Sequence, residues 1–468
     1  MTSIDPHRPV PPASTPAGEL QDPAAAFIHA ACVPLDRAHV SGTLAEADAI
    51  LAAHPSVAAS SVHTAAILGD DDPVRRFLAQ DPANATAKGG PRAWDALTHL
   101  CFSRYLRLDP ARSQGFVRSA AALLEAGASA NTGWWETNHH PTPEWESALY
   151  GAAGVAHHAE LTRLLLAHGA DPNDHEVPYH APESYDNAVL KALLDSGRLT
   201  QDSLAVMLVR KHDWHDEEGV RLVLEQEIDL NAPRRWNPLH HAIARDNALE
   251  TIALLLDHGA DPAVPVHGRS ATALAARRGR GDVLRLLERR GIPIGLRGAD
   301  ALIAACAQGD EPAARAIAEA EPPALAEMRA QGGQLLAEFA GTGNAEGVRL
   351  LLDLGVPVTA EYEEGDGYFA IAPGSTALHV AAWRAWPAVV RRLIGRGAAV
   401  DALDGWGRTA LMLAVRATVD SYWTHRRSPD SVRALLDAGA SIGGVPYPSG
   451  YAAVDELLAA HIAEGTPG

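Results

Sequence analysis

The chain has 468 residues, 47% of them apolar and 21% charged, enough to bury a sizeable core and incompatible with global disorder. Thirty-nine basic residues stand against 58 acidic ones, a net charge of −19, which repels a phosphate backbone and argues against nucleic acid as a partner. No run approaches the roughly 18 apolar residues of a membrane span, and Cys32, Cys101 and Cys306 are too scattered for a disulfide framework or a zinc thiolate set, which points to reduced thiols and a cytoplasmic, membrane-free protein.

Residues 1–23 are rich in Pro and small residues. They lack a basic head followed by an apolar block, so they read as a disordered tail rather than a secretory signal. From residue 24 a repeat takes over. One phrase is a Leu-rich helical end closed by Gly: LLLAHGADPND (164–174), LLLDHGADPAV (254–264), LLDLGVPVTA (351–360), RLIGRGAAVDA (392–402) and ALLDAGASIGG (434–444). Glycine most easily adopts the left-handed backbone that ends a helix. A second, small-residue phrase precedes these: SALYGAAG (147–154), NPLHHAIA (237–244), TALAARRG (272–279), TALHVAAW (376–383) and TALMLAVR (409–416). Closing glycines fall at Gly127, Gly169, Gly197, Gly259, Gly291, Gly355, Gly397 and Gly439, and the corner recurs about every 35 residues between 54 and 439.

Both phrases and the period resemble the ankyrin repeat, whose unit is about 33 residues with a T-P-L-H-x-A signature. The resemblance implies an all-α fold, an α-solenoid with short or extended β-hairpin fingers, of about 11–12 repeats. A single solenoid is expected over 24–460, with a degenerate cap at 24–55, a C-terminal cap at 445–463 and a short tail at 464–468. Repeats ending near residues 54, 81, 197, 227 and 321 lack the T-P-L-H phrase. The caps are required because each repeat leaves its neighbour-facing surface apolar.

Four places exceed the minimal repeat. Residues 132–145 (TGWWETNHHPTPEW) and 359–374 (TAEYEEGDGYFAIAPG) lengthen fingers, while 103–114 and 416–430 fall between the two helices of a repeat. Fingers and helix-to-helix turns lie at opposite ends of the helices, so these insertions are expected on two different edges. The finger at 132–145 carries Trp134, Trp135, His139, His140 and Trp145. A further finger is read over 174–187, with Tyr179, His180, Glu183 and Tyr185. Beyond it come His212, Trp214, His215 and Asp216, then Arg234, Arg235 and Trp236. Residues 139–241 hold 11 of the 22 histidines, an enrichment that singles the region out.

Exposed aromatics interleaved with Arg and His combine large apolar area with a polar handle, the composition of binding hot spots. The leading expectation is therefore a non-enzymatic scaffold, without cofactor, that captures a protein or peptide on a trough formed by the fingers of 130–241. Its contacts would be Trp134, Trp135, His139, His140, Trp145, Tyr179, His180, Tyr185, Trp214, Arg234, Arg235 and Trp236. The alternative is a metal-dependent enzyme or small-molecule site on the same fingers, with His139, His140, His180, Glu183, His212, His215 and Asp216 as candidate ligands. Self-association through the fingers is a third reading.

Other features read as structural. In the ankyrin family the histidine of T-P-L-H, here His240 and His379, bonds the repeat's own backbone; His168 and His258 favour helix ends. Trp383 and Trp386 flank a turn, where they pack. Residues 269–297 hold eight arginines against Asp282 and Glu288, and 361–366 hold Glu361, Glu363, Glu364 and Asp366; both read first as solvated faces, with guanidinium binding of an acidic peptide or phosphate as the alternative for the first and binding of a cation or basic segment as the alternative for the second. No nucleophile elbow, phosphate loop, CxxC pair or dinucleotide fingerprint occurs.

Overall fold

Short polar side chains start the helices of this protein. Ser147, Ser270 and Thr409 each accept a hydrogen bond from the backbone N–H three residues on, and Asn237 Oδ1 does the same for His240 N at 3.1 Å, satisfying a donor that the first helical turn leaves orphaned. Thr376 and His379 form a reciprocal capping box. The other end is set by glycine: all eight expected closing positions have positive φ, from +63° at Gly197 to +103° at Gly127. At Gly169 a Cβ would meet nothing within 4 Å, so the backbone angle rather than space demands glycine there.

The structure is a computed structural model that describes residues 22–138 and 141–465. The tail expected at the N-terminus lies outside the described residues up to Gln21, as do His139, His140 and residues 466–468 of the C-terminal tail. The chain divides into two compact units, one reaching His241 and including His258–Ala260, the other taking Ala242–Asp257 and everything from Asp261. Each is all-α with two rows of helices.

In the N-terminal unit the first helices of successive pairs, Val62–Ile67, Ala96–Cys101, Ala148–Tyr150 with the wider turn Gly151–Val155, Glu176–His180 and Gln201–Asp213, pack against one another. The second helices, Asp71–Gln80, Ser113–Glu125, Ala159–Ala167, Ala188–Asp195 and Glu217–Leu224, form a parallel row. Leu97, Leu100, Leu123, Leu161, Leu165, Leu193 and Val220 fill the space between rows with no exposure. The C-terminal unit repeats the arrangement, with first helices Ala271–Arg277, Gly298–Gln308, Gly332–Gly341, Ala377–Trp383 and Ala410–Asp420. Its repeat near residue 321 differs: a whole helix, Pro322–Ala330, occupies the finger position and packs on Gly298–Gln308.

Among the described residues strands are confined to two hairpins, β1 (Gly133–Glu136) with β2 (Glu144–Ser147), and β3 (Glu361–Tyr362) with β4 (Ser375–Thr376), both antiparallel. Two expectations change. The segment 174–187 is not a finger: it folds as the helix Glu176–His180, which packs into the first-helix row. In the C-terminal unit, moreover, the insertions at 359–374 and 416–430 do not occupy separate edges. They meet around Arg384, which is 1% exposed and lies between Phe369 and Trp423, its guanidinium 4.0 and 4.2 Å from the two ring centroids. Arg384 Nη2 donates to Asp246 at 2.5 Å, and Trp383 Nε1 donates to the Phe369 carbonyl at 2.6 Å. Both long loops fold back over the first helices because a buried cation gives their aromatic rings a common partner. Members of the Arg-rich stretch are drawn into the same cluster: Arg278 pairs with Glu338 at 3.0 Å, and Arg280 with Asp246 and Asp282 at 3.2 and 2.8 Å. Trp386 packs as expected, donating to the Gly341 carbonyl at 2.8 Å under Arg426.

Removing one member of a buried ion pair strands its partner. Arg384→Met is expected to destabilise the C-terminal unit by about 3 kcal/mol, seen as accelerated hydrogen exchange across residues 366–371 and 421–426. Arg416→Met, on a more exposed ring contact, is expected to shift the same amides by less than about 0.5 kcal/mol.

Candidate functional site

The hairpin β1–β2 places Trp134 opposite Glu146, Trp135 opposite Trp145, and Glu136 opposite Glu144. Alternation along a strand then sorts these residues by face. Trp134, Glu136, Glu144 and Glu146 share one side; Trp135 and Trp145 share the other. The pair of adjacent tryptophans is thereby split. Trp134 is 7% exposed and packs on Trp94, Phe102 and His39 at centroid distances of 4.9, 5.8 and 5.8 Å. It is part of the core, so its expected role as a surface contact is replaced by anchoring of the hairpin. Trp135 is 62% exposed and meets the half-buried Trp145 edge to face at 5.2 Å. Gly133 lets the strands close, since a Cβ there would sit 2.2 Å from the Glu146 carbonyl oxygen.

The inner face carries a dense set of carboxylates that the sequence reading passed over. Burial, reinforced by Glu176 nearby, pushes the Glu146 carboxyl up to about 9, and its Oε2 is sealed from solvent without a hydrogen-bond partner. Asp174 accepts from Ser147 Oγ at 2.5 Å and from Val177 N at 2.7 Å, and burial raises it to about 6. His180 lies between Glu176 and Glu183, at 3.2 and 3.0 Å. Burial alone would lower its pKa, but the hydrogen bonds to both carboxylates outweigh that and hold it at about 9. Arg210 continues the row: it pairs with Glu183 and with Asp213 (2.5 Å), and stacks over Tyr179 at 4.1 Å. Asp213 in turn meets His241 Nε2 at 2.8 Å.

Tyr185, Trp214 and His215 stand elsewhere. They lie in helix-to-helix turns, at the opposite end of the helices from the fingers. Tyr185, 67% exposed, donates from its hydroxyl to the Trp214 carbonyl at 2.9 Å, and the two rings meet edge to face at 5.3 Å. Beneath them, fully buried Lys211 donates to the Ser184 carbonyl at 2.6 Å and to Asp216 at 2.8 Å. The single trough expected from the sequence is therefore divided between a finger edge and a turn edge.

At the finger edge, successive loops are joined by side-chain amides, the first three using both the carbonyl and the NH₂. Asn131 Nδ2 donates to the Gly169 carbonyl at 3.0 Å, while its Oδ1 accepts from Asp171 N at 2.8 Å. Asn173 bridges Arg198 O and Thr200 N at 2.9 and 2.7 Å. Gln201 bridges Glu227 O and Asp229 N at 2.5 and 2.9 Å, and Asn231 reaches Gly259 O at 2.8 Å. In the last loop Arg234 is held by Asp202 at 2.9 Å, and exposed Arg235 stacks over Trp236 at 4.8 Å.

The remaining candidate metal ligands do not converge. His212 is buried, and burial pushes it down to about 3; both His180 nitrogens face carboxylates, and Asp216 is bonded to Lys211 and Asn187. His215 sits exposed at a turn with φ +51°. Among the described residues no three His, Cys, Asp or Glu side chains form a metal-holding group; His139 and His140 lie outside that set. His379 bonds backbone as expected of the repeat histidine, whereas His240 meets the side chain of Asn237. His240 Nδ1 is 3.2 Å from Asn237 Oδ1, and His379 Nδ1 accepts from Thr376 N at 3.1 Å while Nε2 lies 2.9 Å from Ala402 O.

Stacked helix pairs closed by left-handed glycines, with amide-linked fingers, define a helical repeat scaffold. The family model for ankyrin repeats in three copies matches residues 202–297, and that for a single ankyrin repeat matches 373–405. Ankyrin repeats therefore occupy these two stretches, and such repeats indicate a protein-interaction scaffold. Among solved structures it is similar to the crystal structure of the human ASB11 ankyrin repeat domain, at 19% identity over 56% of this chain and 99% of that one, with a TM-score of 0.26. A search of curated proteins finds no match.

Because the folded-state pKa of Glu146 lies above its unfolded value, its contribution favours folding at low pH and is lost as pH rises through about 9. That contribution to the native chain's stability is expected to fall progressively from about pH 4.5 to about pH 9. Glu146→Gln should match the native chain at pH 5 and exceed it by roughly 2–4 kcal/mol at pH 9, as measured by urea unfolding over the pH series.

Proposed function

We propose that the N-terminal unit captures a protein or peptide segment along its finger edge, with Trp135 and Trp145 as the anchor and Arg235 and Trp236 as the far contact. The observation that carries this reading is the 62% exposure of Trp135 on a hairpin whose other face is bolted into the core by Trp134. An indole in that position is a large apolar surface already immobilised, so a partner gains contact area without the entropy cost of ordering it. The amide links from Asn131 to Asn231 support a rigid row of finger bases, which suits an extended ligand. Tyr179 and His180 flank the row from the first helices. Tyr185 and Trp214 belong to a separate surface at the turn edge.

The buried state of Cys32, Cys101 and Cys306 suits a reducing compartment, and the reading puts the scaffold in the cytoplasm, acting by binding rather than catalysis.

Affinity capture with the full-length chain tests this. Trp135→Ala with Trp145→Ala is expected to weaken retention of the partner at least tenfold, about 1.4 kcal/mol or more, while the melting temperature stays within about 2 °C. Trp134→Ala should instead destabilise the fold by about 3–5 kcal/mol. Unchanged retention by the double variant would remove the finger edge as the capture surface.

A further inference from the structure

The capture reading leaves the chemistry of the partner open, and three observations narrow it. The first is the fate of the other surface tryptophans. Trp236, Trp386 and Trp406 each carry a guanidinium of their own chain over the ring, at 4.8, 4.1 and 4.4 Å, from Arg235, Arg426 and Arg408; Trp214 is met by Tyr185. Trp135 is the most exposed tryptophan, and among the described residues neither it nor Trp145 has a cation over its ring.

The second is local charge. The finger segments 129–147, 169–175, 197–203 and 225–236 contain nine acidic side chains, of which buried Glu146 is held protonated, and three arginines. Each of those arginines is already engaged: Arg198 donates to the Leu166 carbonyl at 2.9 Å, Arg234 pairs with Asp202, and Arg235 covers Trp236. Asp171, Glu225, Glu227 and Asp229 stand exposed along the edge. The third is length. Four finger segments at helix-packing intervals of about 10 Å span roughly 30 Å, which an extended chain of about nine residues covers.

We infer that the occupant of the finger edge is a basic, extended peptide segment, one of whose arginines stacks on Trp135 while others meet the carboxylates at Asp171 to Asp229. This rests on the capture reading above and adds to it the class of partner. An indole face attracts a cation through its quadrupole, and guanidinium stacks flat on it more readily than an ammonium does. The acidic edge supplies the long-range steering that brings such a segment in.

The test uses three fluorescein-labelled decapeptides, Arg–Gly, Glu–Gly and Leu–Ser repeats, titrated by anisotropy with the full-length protein at 150 mM salt. The Arg–Gly peptide is expected to bind at least tenfold more tightly than either of the others. Trp135→Ala should weaken it about five- to tenfold, and Trp135→Phe should restore part of that loss. Trp406→Ala, on a ring already covered by Arg408, should leave it unchanged. Arg–Gly binding that ignores Trp135→Ala would reduce the effect to diffuse charge attraction and overturn the inference. So would equal binding of the Glu–Gly peptide, or no Arg–Gly binding up to 1 mM. Binding of the Leu–Ser peptide that depends on Trp135, without Arg–Gly binding, would reject the basic partner while leaving the finger edge as a capture surface.

Discussion

The finger edge holds together through four side-chain amides. Asn131, Asn173, Gln201 and Asn231 occur at intervals that track the repeat, and each one spans from its own finger to the backbone of the next. A loop between helices ordinarily leaves its N–H and C=O groups to water. A primary amide offers an acceptor and two donors on one rigid group, so it can satisfy a carbonyl and an N–H of the neighbouring loop at once. Each such bond is worth only about 1 kcal/mol net. Their effect is geometric: the loops that would otherwise move independently become one surface. Without that coupling, an exposed tryptophan on one finger would have no fixed relation to the charges on the others.

The repeat scaffold was legible in the sequence because its two signals are local. Every closing glycine marks a left-handed backbone that other residues adopt at a cost, and all eight expected positions show positive φ. The opening Ser, Asn or Thr marks an N-cap. What the phrases could not convey is which loop departs from a plain finger. At 174–187 the sequence lacks both phrases, and the short helix Glu176–His180 is started by Asp174, whose Oδ1 accepts from Val177 N at 2.7 Å, a capping position inside a stretch rich in turn residues. The helix Pro322–Ala330 was hidden in the same way. Proline at a first helical turn loses no needed donor, and Glu321-Pro322 reads equally as a corner or a start.

The site was half legible. Alternation in GWWE and EWES places neighbouring tryptophans on opposite faces of a hairpin, and applying that period to residues 133–147 separates Trp134 from Trp135 and gathers Glu136, Glu144 and Glu146 on the inner side. Treating the stretch as one aromatic loop lost this distinction. The meeting of Phe369, Arg384 and Trp423 had no such signal. Their sequence separations are set by two insertions that neither phrase describes, and only tertiary packing brings a buried guanidinium between rings from loops 54 residues apart.

Local rules fail together at one place, the inner face of the hairpin and the helices beneath it. Glu146 is buried without a hydrogen bond at Oε2, Asp174 is held above its ordinary range, and His180 is shared between two carboxylates. Consistent sequences avoid such conflicts except where another requirement overrides them. The geometry of β1–β2 supplies one. A two-stranded ribbon with Trp135 and Trp145 turned outward must turn Glu136, Glu144 and Glu146 inward, because the register allows no other sorting. A one-residue slip would bury the outer indoles and expose Trp134. Trp134, locked among Trp94, Phe102 and His39, forbids that slip by the area it would lose. The inward carboxylates are thus the consequence of presenting two indoles on a ribbon of fixed register, and the histidine and arginine of the first-helix row offset part of the charge they bring.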